Sequence, residues 1–199
     1  MKIRPATERD RDAIWNIFHE VVATGDTYAL DPQMSREDAL AYWFARETHT
    51  YVSEAGGRIN GTYILRPNQS GNGSHVANAG FMVAADARSK GIGRTMAKHC
   101  LSEALRLGFR AMQFNFVVST NESAIRLWKQ LDFTIVGTLP GAFHHPKDGY
   151  VDVYIMYRSL VSGNDSPKFK VCTPTPRPPA RLSASNTAII TRPPVIGDQ

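Results

Sequence analysis

One short segment restricts what this chain can fold into more than any other: ADARSKGIGRTMAKHCLSEAL, residues 85–105. The apolar run HVANAGFMVAA ahead of it (75–85) reads as a strand. Within and after it, Ile92, Met96, Cys100 and Ala104 fall on one helical stripe, with Ala97, Leu101 and Leu105 beside them. A strand that feeds Arg88-x-x-Gly91-x-Gly93 into a helix makes an anion site. The first N–H groups of a helix lack internal partners, the aligned peptide dipoles add positive potential, and glycines let an anion approach the backbone. A dinucleotide fingerprint would need a third glycine where Met96 stands and an acidic residue about 20 positions further on. A Walker loop would need Gly-Lys-Ser/Thr after four intervening residues. Neither pattern is present. What remains is another phosphate-bearing ligand, or a plain glycine turn that opens a helix.

The flanking segments extend the α/β pattern. Residues 2–5 read as a short strand, and Thr7 is placed to cap a helix over 8–22 through Ile14, Ile17, Phe18 and Val21. TGDTYALDPQM (24–34) is loop by its Gly, Asp and Pro content, and Ser35 with Asp38 caps a second helix over 36–46. THTYVSEA and RINGTYILR alternate apolar and polar residues around Gly56 and Gly57, the pattern of a hairpin. AMQFNFVVS (111–119) reads as a central strand, Asn121 caps a helix over 122–131, and Phe133–Leu139 and Tyr150–Arg158 close the chain as two strands. The intervening PGAFHHPKDGYVD (140–152) reads as loop. Strands alternating with helices beside a hairpin predict a mixed sheet with helices on both faces.

Composition divides the chain at residue 160. From Val161 onward it carries seven of the twelve prolines and one aromatic residue, Phe169, too little apolar area to offset chain entropy. Residues 1–160 are therefore expected to form the folded domain, and 161–199 a Pro/Ser/Arg-rich, mostly disordered tail. The formal charge of +5 falls partly on that tail, leaving 18 Lys and Arg against 16 Asp and Glu in residues 1–160. No dense cationic patch interleaved with aromatics marks a nucleic-acid partner. Two cysteines argue against a disulfide framework, and six histidines show no metal-ligand spacing. With no apolar leader and no run of about 20 apolar residues, the expectation is a cytoplasmic protein with neither membrane partner nor metal; a homodimer is left open.

Arg88-Ser89-Lys90-Gly91-Ile92-Gly93 resembles the coenzyme pyrophosphate loop of the GCN5-related N-acetyltransferase (GNAT) superfamily. FMVAADAR ahead of it and TNESAIRLWKQLDF behind it are similar to two further landmarks of that superfamily, in the same order. The likeness covers about residues 2–158. It implies the α/β (α+β) GNAT fold, a mixed, mostly antiparallel sheet of six to seven strands flanked by helices on both faces. It implies acetyl-CoA as co-substrate and a small-molecule amine as acceptor.

By that resemblance, the fourth and fifth strands part at a bulge and the pantetheine arm lies between them. The backbone of Phe81, Met82 and Val83 would pair with it, and an N–H near Val83 would polarise the thioester carbonyl. Arg88, Ser89, Lys90, Gly91, Ile92, Gly93 and Arg94 would cradle the pyrophosphate, with Asn121 and Trp128 also facing the coenzyme. Many relatives carry a tyrosine acid where this chain has Trp128. Indole donates no proton at neutral pH, so the leaving thiolate takes one from another group or from water, or departs unaided.

Asn78 and Asn115 each interrupt an apolar strand expected to be buried, where an unpaired amide would cost about 1–3 kcal/mol. Either they bond backbone at the bulge, or they line the acceptor site. TGDTYALDP, NAGFMV, FNFVVSTN and LWKQLDF resemble the azetidine-2-carboxylate N-acetyltransferases, a proline-analogue branch of the superfamily. That likeness implies that Asn78 orients the attacking amine, that Asn115 and Asn121 hold the substrate carboxylate, and that Phe81 lines the acceptor site. Outside it stand His75, His144 and His145 as alternative bases, and Asp26 and Tyr28 in a loop placed to close over substrate. Three activities follow: acetylation of a small amino or imino acid, acetylation of protein N-termini or lysines, or coenzyme binding without catalysis.

Overall fold

The computed structural model describes residues 1–161, so the tail expected over 161–199 lies, but for its first residue, outside the described residues. Strands β1 (Lys2–Pro5), β2 (His49–Ala55), β3 (Arg58–Pro67), β4 (Val76–Val83), β5 (Ala111–Val118), β6 (Thr134–His145) and β7 (Gly149–Ser159) form one sheet in the order β1-β2-β3-β4-β5-β7-β6. Every neighbouring pair is antiparallel except β4 and β5. The helices are α1 (Arg11–Ala23), α2 (Arg36–Trp43), α3 (Ile92–Arg106) and α4 (Glu122–Gln130).

Side-chain alternation along β3 shows which helices cover which face. Thr62 accepts a hydrogen bond from the indole of Trp43 in α2 at 3.0 Å, while its neighbour Tyr63 points oppositely and meets His99 of α3 at 2.7 Å. Helices α1 and α2 thus cover one face and α3 covers the other, with Trp128 of α4 packed against Phe81 and Phe114. Tyr63 is wholly buried, as are Ile14, Trp43, Val52, Leu65 and Met96. The close packing of α3 explains Gly61: a Cβ there would lie 2.9 Å from Met96 Cε and 3.1 Å from the Met82 carbonyl oxygen.

The predicted caps are present. Ser35 accepts from the Asp38 N–H at 3.0 Å, and Asn121 accepts from the Ala124 N–H at 3.2 Å. Thr7 forms a reciprocal box with Asp10, although the first turn is a 3-10 turn and the α-helix starts at Arg11. Two readings need correction. Residues 140–145 belong to β6, because register shifts between Leu139 and Phe143 absorb Pro140 and Gly141, and the hairpin turn is confined to 146–148. Asn115 is exposed, because β5 shifts register against β7 between Phe114 and Val117 and pushes it outward.

Candidate active site

Strand β4 is bound to its two neighbours very differently. It pairs with β3 through seven registered residues, Gly61↔Val83 to Pro67↔Ala77, but with β5 only at Val76↔Ala111 and Ala77↔Met112. Beyond Ala77 the two parallel strands part. Bonds from the Asn68 N–H to the Val76 carbonyl and from the Ala84 N–H to the Asn60 carbonyl, 2.8 and 3.0 Å, fix the phase of the β3–β4 ladder. Even-numbered residues of β4 therefore face β3 with their backbone groups, while Ala79, Phe81 and Val83 turn theirs toward the opening. Met82 does not; its backbone belongs to β3.

At the apex of the fork the Asn78 side chain takes over from the ladder, donating through Nδ2 to the Gln113 carbonyl at 2.8 Å. A cavity of about 350 Å³ opens beyond it. Asn78, Ala79, Gly80 and Phe81 of β4 and Phe114 to Val118 of β5 form its walls, with Thr27 to Leu30 from the loop after α1 and Tyr42 and Trp43 from α2. Asn121, Ala124 and Trp128 of α4 line the same cavity. The chain thus gathers Asn78, Asn115, Asn121, Phe81 and Trp128 around one opening.

Their local bonds differ. Asn115 lies in an exposed amide chain, accepting from Gln113 Nε2 at 2.7 Å and donating to Asn68 Oδ1 at 2.6 Å. The Asn121 Oδ1 is occupied as the cap of α4 and by the Ser123 hydroxyl, which leaves its NH₂ as the donor available to a ligand. Trp128 is 8% exposed and sits among Phe81, Phe114 and Phe133, ring centroids 4.5 to 5.8 Å away, so it packs as a hydrophobic wall. At Phe81 the backbone is already engaged. Its N–H donates to the Tyr28 hydroxyl at 2.9 Å, and that hydroxyl donates back to the Phe81 carbonyl at 2.8 Å. Burial holds the Tyr28 phenol well above its ordinary range, so the hydroxyl stays protonated and able to donate.

Beside this opening, α3 begins without a side-chain cap. The first helical bond runs from the Thr95 N–H to the Gly91 carbonyl, so Ile92, Gly93 and Arg94 present N–H groups with no partner inside the helix. Ser89 and Gly91 adopt left-handed φ of 61° and 77°, and a Cβ on Gly91 would meet nothing within 4 Å. Arg88, Ser89, Lys90 and Arg94 are exposed around this start, with Lys90 donating to the Asp86 carbonyl and Arg94 to Gln130. The uncapped helix start fits a pyrophosphate, and the fork fits an extended pantetheine arm lying beside Val83.

The alternative bases stand elsewhere. His75 is exposed at the entry to β4 and bonds the Asn72 carbonyl, and His144 is exposed on β6 beside Tyr150. His145, expected in a loop, instead ends β6 and is 9% exposed, and its Nδ1 accepts from the turn N–H groups of Lys147 and Asp148. None of the three lines the cavity. Arg66 and Tyr42, which do, escaped the sequence reading. The available signal was register: Arg66 sits opposite Asn78, on the same face as Thr62 and Ile64. Among the described residues no three His, Cys, Asp or Glu side chains converge as a metal would need, and no helix is long and apolar enough to cross a membrane.

Known proteins share this fold. The acetyltransferase (GNAT) family model matches residues 13–133. N-acetyltransferase aca1 of Schizosaccharomyces pombe is 35% identical over 164 residues, covering 74% of this chain and 78% of that protein. L-amino acid N-acyltransferase MnaT of Escherichia coli is 26% identical over 144 residues, 70% of this chain and 83% of that one. Among solved structures, a GCN5-related N-acetyltransferase from Kribbella flavida superposes with a TM-score of 0.76 at 44% identity, covering 79% of this chain and 96% of its own. The yncA protein of Salmonella typhimurium, solved with its cofactor acetyl-CoA, gives 0.73 at 26% identity over 84% and 98%. With a forked sheet, an uncapped glycine-led helix and these relatives, the chain belongs to the acetyltransferase (GNAT) family, as an N-acetyltransferase that uses acetyl-CoA.

Proposed function

We propose that the acceptor is a small amino or imino acid, acetylated on its nitrogen by direct attack on the thioester. The observation that carries this reading is the cavity at the fork: small, walled by aromatics, and presenting the amides of Asn78, Asn115 and Asn121 around one opening. The similarity to a protein named as an L-amino acid N-acyltransferase supports the same class.

In the reaction the acceptor nitrogen forms a bond to the acetyl carbon, the carbon–sulfur bond breaks, and the sulfur leaves with the electron pair. The proton shed by nitrogen ends on the thiolate or in solvent. Arg88, Ser89, Lys90, Gly91, Ile92, Gly93 and Arg94 would hold the pyrophosphate, Val83 would offer its backbone groups to the pantetheine arm, and the Phe81 N–H, close enough to Asn78 to share one reacting centre, would take the oxyanion role expected near Val83. Asn78 would orient the attacking nitrogen through its amide oxygen while its NH₂ stays on Gln113. Asn115 and the NH₂ of Asn121 would hold the acceptor's carboxylate, against the walls that Phe81 and Trp128 provide. No histidine or carboxylate lines the cavity, so the amine delivers its proton to water.

The test is release of free thiol from acetyl-CoA over a panel: azetidine-2-carboxylate, methionine sulfone, phosphinothricin and polyamines. Turnover of amino or imino acids above polyamines is expected. Silence on every small amine, with acetyl-CoA shown to bind by calorimetry, overturns the reading.

A further inference from the structure

Arg66 is the one charged side chain that lines the cavity at the fork, and the geometry points to it as the cationic receptor for the acceptor's carboxylate, beside the neutral amides of Asn115 and Asn121; this rests on the amino-acid reading above. Arg66 lies at the end of β3, directly opposite Asn78 in the antiparallel register. Residues paired across a ladder project to the same face with Cβ atoms about 5 Å apart. A guanidinium and the amide proposed to orient the amine therefore flank one spot. In an amino or imino acid the amine and carboxylate sit on the same carbon, so one molecule spans both.

The guanidinium is held for that task. It lies over the ring of Tyr42, 4.9 Å from the centroid, and one nitrogen donates to the Tyr42 hydroxyl at 3.1 Å. Stacking fixes the plane of the fork and leaves further N–H donors for a second acceptor. Several other arginines find carboxylates within the protein: Arg4 pairs with Asp10, Arg58 with Asp86, Arg106 with Glu103. Arg66 has no carboxylate partner among the described residues and contacts a phenol instead. A half-buried cation with no counter-charge is costly to keep, and an anionic ligand removes that cost. No Asp or Glu lines the cavity to receive a second ammonium, so a polyamine finds only a like charge there. The specificity that follows is for amines bearing an adjacent carboxylate.

The experiment compares each acid with its primary amide, azetidine-2-carboxylate against azetidine-2-carboxamide and methionine sulfone against its amide, in wild type, Arg66→Gln and Arg66→Lys. Wild type should prefer the acid by roughly 10–100-fold in kcat/KM, mostly through KM, the range of a charge-assisted pair. In Arg66→Gln, KM for the acid should rise by about that factor with kcat within about threefold, while the amide is unaffected and the preference collapses; Arg66→Lys should recover part of it. Calorimetric binding of acetyl-CoA should be unchanged, which reports an intact fold. A wild type blind to the carboxylate, or an Arg66→Gln that keeps the preference, overturns the assignment. If Arg66→Gln does not fold, Tyr42→Phe decides: it should raise KM for the acid a few-fold and leave the amide alone, and equal effects on both overturn the assignment. Turnover of acids and amides alike sinks this inference only, whereas turnover of neither sinks the amino-acid reading with it.

Discussion

The two edges of β4 make the useful comparison. On the β3 side the strand is fully paired, and the surroundings are closed: Trp43 donates to Thr62, Thr62 to the Tyr51 carbonyl, and Thr50 to the Trp43 carbonyl, all at 2.7 to 3.0 Å. On the β5 side pairing stops after two residues, and side chains take over, Asn78 on the Gln113 carbonyl and Tyr28 on Phe81. The first edge is satisfied by groups that never need to leave. The second is satisfied in part by a group that a ligand can replace, the Tyr28 hydroxyl on Phe81. One strand thus carries both the rigidity of the sheet and the opening where chemistry is done, divided by the alternation of its backbone.

If that division is right, substitutions on the closed edge cost stability and those on the open edge cost activity. The largest effect is expected from Gly61→Val. Its Cβ meets the fully buried Met96 and the Met82 carbonyl, and overpacking of this kind costs about 2–3 kcal/mol, read as a lower urea midpoint. Next is Asn78→Ala, expected to lower kcat/KM by about 30-fold or more while removing only ~1 kcal/mol of stability, the net value of one hydrogen bond. A stability loss that accounts for the whole activity loss would erase the distinction between the edges. Tyr28→Phe sharpens it. Removing a hydroxyl that occupies both backbone groups of Phe81 should tighten acetyl-CoA binding about two- to fivefold by calorimetry; weaker binding would make the hydroxyl a brace.

The smallest effect lies away from both edges, on α3, where Glu103 meets Tyr51 of β2. Glu103 receives Arg106 and the Tyr51 hydroxyl, which draw its pKa down to about 2. A glutamate in the unfolded chain titrates near 4.3, so this contribution is full above about pH 4.3 and is lost as pH falls toward 2. Glu103→Gln should cost at most about 1 kcal/mol at pH 7, since Arg106 is mostly exposed, and the difference from wild type should shrink as pH falls from about 4 through about 2. A difference that does not shrink over that range would locate the effect in packing.

The sequence made the helix caps and the glycine loop legible because each depends on residues within a few positions, as at Ser35 and Asn121. What escaped depends on pairing across strands. Asn115 reads as buried in FNFVVS, yet a register shift against β7 turns it outward. Pro140 and Gly141 read as loop, yet β6 continues past them, and the Gly141 N–H is met by Asp152 from β7 at 2.9 Å. Arg66 is unremarkable in RINGTYILRP and becomes meaningful only when the hairpin and the next strand place it opposite Asn78. Asn78 itself stands out in the sequence as an amide in an apolar strand, but its bond to Gln113, 35 residues on, belongs to the junction of two strands.

That junction is also a pivot. Val83 lies five residues beyond Asn78 on a strand rising about 3.3 Å per residue, so its distance from the apex is roughly 16 Å. A rotation of only about 5° at the apex would carry Val83 through more than about 1 Å, enough to shift the backbone groups proposed to pair with the pantetheine arm. The single amide that bridges β4 to Gln113 therefore sets the angle of a lever. Substitutions around Ala77, Asn78, Met112 or Gln113 would act on the far end of the slot without touching anything bound there.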